Sequence, residues 1–269
     1  MNKEVIWMID QSGIVSRQSV AVGGVAFVPC SLTEATTWLV HVAAARRIAV
    51  NVRLANAYNV ALATKDRHYR QLLTDEGVNF PDGTPVVWFM RRKSHGSIPM
   101  QVRGPSFFSD ALEAGVESGM RSFFLGGTPD TLTLLQARLR ERLPGIQIAG
   151  VYSPPFAPVD EAFLQGCVER VDTENVDVVW VGLGTPKQDY VGTALAKRLG
   201  LPVVNVGAAF DFVAGTVREA PVWMRGSGFE WAYRLAREPR RLWRRYLVGN
   251  AVFLYSALRF ELSRGRYRG

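Results

Sequence analysis

The hydrophobic residues of this chain fall in short, nearly continuous runs, separated by longer stretches in which they recur every three or four positions. Short apolar runs rich in β-branched residues are typical of buried strands, and the longer period is typical of amphipathic helices. The pattern therefore predicts strands that alternate with helices. The predicted strands are 47–55, 78–82, 121–127, 146–152, 176–184 and 202–210, and the predicted helices lie near 56–73, 106–118, 129–143, 160–172 and 187–199.

This alternation predicts an α/β fold: a Rossmann-like, mostly parallel sheet with helices on both faces. Ligands of such open sheets bind at the carboxyl ends of the strands. Several predicted strands end in glycine directly before a helix, so polar loops should collect at that edge. We expect residues 1–217 to form the α/β domain and residues 218–269 to form a basic helical appendage.

Charge separates the two parts of the chain. Residues 218–269 hold 12 Arg, no Lys and 4 Glu, a net charge of +8 that equals the net charge of all 269 residues. Trp, Tyr, Phe and Leu are interleaved with these arginines, which is unusual for a solvated surface. Guanidinium groups bind phosphates in bidentate fashion, and aromatic side chains favour a bilayer interface. The appendage therefore predicts a partner that is anionic and apolar: a lipid phosphate at a membrane, or a nucleic acid.

Composition narrows the location. Residues 1–13 contain no apolar run that would serve as a signal peptide, and the apolar segment 246–258 is shorter than the roughly 20 residues that span a bilayer. We expect a cytoplasmic protein that lies peripherally on the inner face of the membrane. Cys30 and Cys167 are expected to be buried thiols. His41, His68 and His95 are scattered along the chain, so we predict no metal site.

Two predicted strands lead into similar glycine loops. The sequence G-L-G-T-P-K-Q at 182–188 and the sequence G-G-T-P at 126–129 each place glycines before a new helix. Glycine lets a phosphate approach the backbone, and the free amides of a helix start attract it. A simpler alternative is a tight turn in which Thr128 caps the helix. The residues predicted to bind the nucleotide sugar here are Gly126, Gly127, Gly184, Thr185 and Gln188.

Two aspartates follow predicted strands. Asp82 lies in a Pro-Asp-Gly turn, where aspartate is commonly a turn former, but a carboxylate at this edge is also placed to act as a general base. Asp211 follows the strand at 202–210 and is a candidate either for ribose binding or for capping a helix.

These loops, in this order, resemble the WecG/TagA/CpsF family of glycosyltransferases, which build bacterial teichoic acids, enterobacterial common antigen and exopolysaccharides. The most similar segments are 181–189, 206–221 and 229–247. The resemblance implies an inverting transfer, without metal or other cofactor, of a sugar from a UDP-sugar donor to a polyprenyl-diphosphate-linked sugar acceptor. It also suggests a homo-oligomer.

The resemblance assigns roles to individual residues. Asp82 matches the family's proposed general base, and Arg103 matches an active-site arginine. Asn56 matches the Asn of a T-x-N motif near the donor. The Thr of that motif is Leu54 in this chain, which raises the question of a different donor sugar. The remaining matches are Gln188 in the pocket, Asp211 on the nucleotide side, and Arg234, Arg241 and Arg244 in an appendage that covers the active site and neutralises diphosphates.

Two other functions remain open from the residues alone. Arginines with aromatics also suit single-stranded nucleic acid, although the charge lies in the appendage and the nucleotide-type loops lie in the neutral part. A non-catalytic nucleotide or phospholipid binder would use the same loops. We favour the glycosyltransferase, with no nucleic-acid partner. The appendage is predicted to be a lid, and the competing arrangement packs 246–258 on the core.

Overall fold

The computed structural model describes residues 19–45, 48–93 and 98–265, with only the backbone of 264 and 265. The segment 1–13, expected to lack a signal peptide, and His95 lie outside the described residues.

A parallel sheet of six strands organises the fold, as predicted. Its strands are β3 (Val50–Ala55), β4 (Val78–Pro81), β5 (Arg121–Gly126), β6 (Gln147–Tyr152), β7 (Val178–Gly182) and β8 (Pro202–Asn205), and a separate antiparallel hairpin pairs β1 (Val20–Val22) with β2 (Val25–Phe27). The spatial order in the sheet is β4-β3-β8-β7-β5-β6, and every neighbouring pair is parallel. All strand ends that precede a helix therefore meet at one edge.

Helices cover both faces of the sheet. One face packs against aromatic side chains such as Trp38, Phe108 and Phe210, and the other against aliphatic residues such as Leu195. Cys30 and Cys167 are both buried, as expected. The helices are α1 (Leu32–Ala45), α2 (Ala57–Lys65), α3 (Arg67–Asp75), α4 (Thr84–Arg91), α5 (Gly104–Glu117), α6 (Pro129–Arg142), α7 (Glu161–Val168), α8 (Lys187–Leu199), α9 (Ala209–Ala214), α10 (Glu230–Arg237), α11 (Pro239–Trp243) and α12 (Gly249–Gly265).

Some predicted boundaries differ from the structure for local reasons. The predicted helix 56–73 is two helices, because Asp66 is extended and its carboxylate accepts the backbone N–H groups of His68 and Tyr69, which caps α3. The predicted strand 202–210 ends at Asn205, because Gly207 has a φ of 58° and α9 follows. The hairpin, α1, α4 and α9 were not predicted.

The C-terminal segment packs on the α/β part rather than standing apart from it. Phe253 and Ala257 of α12 are each 1% exposed and share a hydrophobic cluster with Val60 of α2 and Phe89 of α4. The Thr64 hydroxyl donates a hydrogen bond to Ser256 at 2.9 Å. Part of the segment 246–258 thus packs on the core, and Glu230 of α10 contacts Arg103 at the carboxyl edge of the sheet.

Candidate active site

A pocket opens where the carboxyl ends of β3 and β4 meet the C-terminal helices. Its space, including the open mouth, is about 790 Å³. It brings together four residues predicted for the site: Asn56, Asp82, Arg103 and Arg234. Other charged, polar and aromatic side chains that line it are Tyr58, Thr84, Gln101, Phe212, Glu230, Trp231, Arg245, Tyr246 and Asn250.

Backbone hydrogen bonds position Asp82 beside Asn56. The Asp82 N–H donates to Ala55 O at 2.8 Å, which continues the pairing of β3 with β4 beyond the strand ends. Asn56 caps α2 by accepting the Tyr58 N–H at 3.0 Å, and its side chain also hydrogen bonds to the Asp82 carboxylate. These hydrogen bonds hold the Asp82 side chain in the pocket. Asp82 is therefore more than a turn former, because it also contacts Asn56 at the end of the neighbouring strand.

The environment makes the Asp82 carboxyl a weaker acid than usual. Burial raises its pKa most, and the Glu230 carboxylate raises it further. Arg103, Arg245 and the Asn56 amide act in the opposite direction and lower the pKa. A carboxylate with increased proton affinity is better suited to accept a proton from a hydroxyl near neutral pH.

Arg103 lies next to Asp82 because the Val102 N–H donates to Pro81 O at 2.8 Å, directly beyond β4. Its guanidinium forms ion pairs with two carboxylates. Glu230 accepts from Nε and Nη2 at 2.7–3.1 Å, and Glu219 accepts from Nη1 at 2.9 Å. Arg103 therefore links the strand edge to the C-terminal segment, a role that the sequence did not indicate.

Arg234 and Arg245 are the pocket cations without an anionic partner among the described residues. Arg234 lies over the ring of Phe212, at 5.4 Å from its centroid. Arg245 contacts the rings of Tyr58 and Tyr246 at 5.2 and 5.8 Å, and its Nε is buried without a hydrogen-bond partner. Stacking on aromatic faces leaves the in-plane N–H groups available, which is how guanidinium binds phosphate. The sequence did not predict that Arg245 lines the pocket.

Arg241, Arg244 and Asp211 lie outside this pocket. Arg241 pairs with Glu238 at 2.7 Å, and Arg244 stacks on Trp243 in a separate surface cleft beside α2. Of the three arginines predicted to act together, Arg234 lines this pocket, and Arg241 and Arg244 do not. Asp211 lies within α9, where it accepts a hydrogen bond from the Thr216 hydroxyl, and burial raises its pKa.

The predicted glycine loops lie farther along the same edge, at β7 and β5. Gly184 has a φ of 75° with open space on its Cβ side, and its N–H donates to the buried Gln188 side chain at 3.1 Å. A Cβ on Gly126 would lie 2.5 Å from Gly182 O, so this glycine is required by close packing of β5 on β7. Thr128 caps α6 as the simpler alternative predicted. Gly127 and Thr185 flank these positions, and none of these residues lines the pocket at Asp82.

A buried polar network joins the two parts of the edge. Asp189, adjacent to Gln188, accepts hydrogen bonds from the Tyr69 hydroxyl at 2.6 Å and the Asn59 amide at 3.4 Å. Asn59 in turn accepts the backbone N–H of Asn56 at 3.0 Å. Burial raises the pKa of Asp189 to about 6, against the opposing effect of the Tyr69 hydrogen bond. The loop after β7 and the loop after β3 are therefore tied together inside the core.

Comparison with known proteins identifies the class of protein: the chain is a glycosyltransferase. It belongs to the glycosyl transferase WecG/TagA/CpsF family, whose model matches residues 20–267. It is similar to the N-acetylglucosaminyldiphosphoundecaprenol N-acetyl-beta-D-mannosaminyltransferase of Bacillus subtilis (strain 168). The two are 28% identical over 231 residues, which cover 86% of this chain and 88% of the relative.

Proposed function

We propose that this protein transfers a sugar from a UDP-sugar to a polyprenyl-diphosphate-linked N-acetylglucosamine, with inversion and without metal, in the synthesis of a cell-surface polysaccharide. The name of the Bacillus subtilis relative supports the acceptor class. The observation that carries the proposal is a single pocket lined by Asp82 and by Arg234 and Arg245, two guanidiniums that form no ion pair among the described residues. A base beside two cations suits a reaction that releases a diphosphate.

Asp82 is the proposed general base. Its carboxylate takes the proton of the acceptor hydroxyl while that oxygen forms a bond to the anomeric carbon of the donor sugar. The bond from that carbon to the β-phosphate oxygen breaks on the opposite face, and UDP leaves with the bonding electron pair. The raised pKa of Asp82 favours the proton transfer, and Asn56 keeps the carboxylate in place.

Arg234 and Arg245 are the proposed source of positive charge for the diphosphate groups. Each has its faces against an aromatic ring and no carboxylate partner among the described residues, so substrate phosphate oxygens are natural acceptors. Fixed cations of this kind stabilise charge that develops on a leaving group. This assignment replaces Arg241 and Arg244 with Arg245, because Arg245 lines the pocket.

The donor is proposed to lie along the carboxyl edge, with its sugar at Asp82 and its nucleotide toward Gly184, Thr185, Gln188, Gly126 and Gly127. β7 and β5 are the third and fourth strands from β4, which places their loops about 14–19 Å away at the usual strand spacing. An extended nucleotide sugar has a comparable length. The open space beside Gly184 admits a phosphate against the backbone.

The acceptor lipid is proposed to reach the pocket from a membrane surface beside the C-terminal segment. Trp223 is 76% exposed there, and Phe229, Leu247 and Leu254 are also exposed. Arginines lie among these apolar side chains, as expected of an interfacial surface on anionic lipid. No helix within the described residues is both long and apolar enough to cross a membrane.

The test is transfer to a polyprenyl-diphosphate-linked N-acetylglucosamine from a panel of UDP-sugars, with UDP release and product mass as readouts and chelator in parallel reactions. Asp82→Asn should lower kcat by about 10²–10⁴ while UDP binding stays within a factor of two or so of the native value. Near-native turnover of Asp82→Asn would contradict the assignment of the base.

A matched pair tests the arginine assignment. Arg245→Gln should lower kcat/KM by about 10-fold or more, as expected for loss of a charge-assisted contact to a leaving group. Arg244→Gln, its neighbour outside the pocket, should change kcat/KM far less. The reverse order would show that Arg244 is the cation that reaches the substrate.

A further inference from the structure

Glu230 is the acidic side chain that the C-terminal helices place in the pocket. It lies at the start of α10 and binds Arg103 through both carboxylate oxygens, in the bidentate geometry that fixes a guanidinium most precisely. Arg103 is only 7% exposed, so water competes little for this pair. The contact is therefore directional and persistent rather than a surface ion pair.

This contact contributes to the attachment of helix α10. None of the side chains of α10 is fully buried, although the helix carries Arg234 and Trp231 into the pocket. Its apolar side chains Trp231 and Leu235 are only partly buried, so a polar anchor adds to the packing that fixes the position of the helix. The Glu230 to Arg103 pair is such an anchor, and it is adjacent to Asp82.

Three charged groups and one amide surround Asp82, and they come from four parts of the chain. Glu230 is on α10, Arg103 precedes α5, and Arg245 lies in the π-helical turn Arg244–Val248. The Asn56 amide at the start of α2 completes the set. Glu230 is the negative charge of this set, so it opposes ionisation of Asp82.

We propose that Glu230 is a positioning residue of the transfer reaction: through Arg103 it holds α10 and Arg234 against the loop of Asp82, and it places a second carboxylate beside that base. This inference rests on the proposed function of Asp82. The consequence is that assembly of the C-terminal helices over the strand edge also adjusts the base. Without Glu230, Asp82 would face Arg245 and an Arg103 that keeps only its contact with Glu219, and it would lose its proton more readily.

Glu219 provides a matched control on the same guanidinium. It accepts from Arg103 Nη1, but it is also paired with Arg225 at 2.7 Å, and it does not line the pocket. Glu230→Gln and Glu219→Gln both remove one negative charge from Arg103. Glu230, which lines the pocket together with Asp82, is the one that raises the pKa of Asp82.

The experiment follows the Asp82 carboxyl by ¹³C NMR titration, with its resonance assigned by loss in Asp82→Asn, and records the pH profile of kcat/KM in the same variants. Glu230→Gln should move the midpoint of Asp82 and the acid limb of the profile to lower pH by about one unit. Glu219→Gln should leave both in place. Glu230→Asp, which keeps the charge but shortens the side chain, should keep the midpoint and lower kcat.

The outcomes separate the two proposals. A native protein that transfers no sugar to any tested lipid-linked acceptor contradicts the proposed function, whatever the titration shows. An active protein in which Glu230→Gln leaves the titration and the acid limb unchanged contradicts the role of Glu230. Equal shifts in Glu230→Gln and Glu219→Gln would also overturn it, since the effect would then come through Arg103 alone. If Glu230→Gln does not fold, Glu230→Asp decides: an unchanged kcat refutes the positioning role.

Discussion

Replacing Tyr69 with Phe should destabilise the protein in a pH-dependent way, because the Tyr69 hydroxyl makes the shortest hydrogen bond to the buried Asp189 carboxylate, at 2.6 Å. Burial raises the pKa of Asp189 from 3.8 to about 6, and the Tyr69 hydrogen bond is the strongest opposing influence. A difference of about two pKa units corresponds to about 3 kcal/mol against the ionised form. A hydrogen bond to a charged group contributes about 1.5–3 kcal/mol, so we expect a loss of about 2 kcal/mol at pH 8.

The direction of the pH effect follows from proton binding. The folded protein binds the Asp189 proton more tightly than the unfolded chain, so this group favours folding at low pH, and that contribution is lost as the pH rises from about 4 to about 6. Tyr69→Phe raises the pKa of Asp189 further and extends the loss above pH 6. At pH 5 the carboxyl is largely protonated in both proteins, so only a neutral hydrogen bond, worth about 1 kcal/mol or less, is removed.

Urea unfolding at pH 5 and pH 8, followed by tryptophan fluorescence, measures this difference. Tyr233→Phe is the control, because its hydroxyl receives only a 3.4 Å contact from Arg237 at the surface, and its unfolding midpoint should hardly change. An equal loss of stability at both pH values for Tyr69→Phe would refute the reasoning, since it would show that ionised Asp189 has no special dependence on the hydroxyl.

Further predictions concern the glycine loops and the membrane surface. Gly126→Ala should lower the free energy of unfolding by about 3 kcal/mol, because the added Cβ would lie 2.5 Å from a backbone atom. Gly184→Ala has open space for the Cβ, so it should lower the free energy of unfolding by only about 1 kcal/mol and should weaken UDP binding. Denaturant unfolding measures the first effect and calorimetry with UDP the second. Equal destabilisation would contradict the packing argument. Trp223→Ser should lower binding to anionic vesicles in a sedimentation assay, and Leu134→Ser, exposed on α6, should not; equal binding by all three proteins would remove Trp223 from the membrane surface.

The sheet was predictable because its strands are short and largely apolar. Strands such as β7 are buried on both faces, whereas the edge strand β6 is partly exposed. The elements that were missed are short or lack such a pattern. β1 and β2 have three residues each, which is too short for a period to be recognised. α4 begins two residues after Asp82, inside a turn signal that favours a loop.

The site was predictable in the parts that follow strands. Asp82 and Asn56 meet because β4 and β3 are neighbours in a parallel sheet, which places their carboxyl ends together. Arg245 was not predictable from spacing, because the backbone at Glu238 leaves the helical region and a π-helical turn begins at Arg244, so the faces of α10 do not continue. Glu230 had no sequence signal, since its partner Arg103 is 127 residues away.

The position of α12 in the chain has a consequence for biogenesis. Phe253 and Ala257 belong to a hydrophobic cluster that includes Val22 and Phe27 of the N-terminal hairpin. The hairpin therefore completes its packing only after α12 has been synthesised. While the chain is being synthesised, the sheet can form as its strands emerge, but the outer face of α2 stays uncovered until α12 has left the ribosome. Arg234 and Arg245 also emerge after every described strand. The nascent polypeptide therefore acquires the apolar cover of α2 and the two pocket arginines in the same interval, so a nascent chain that lacks these helices has neither this cover nor a complete pocket.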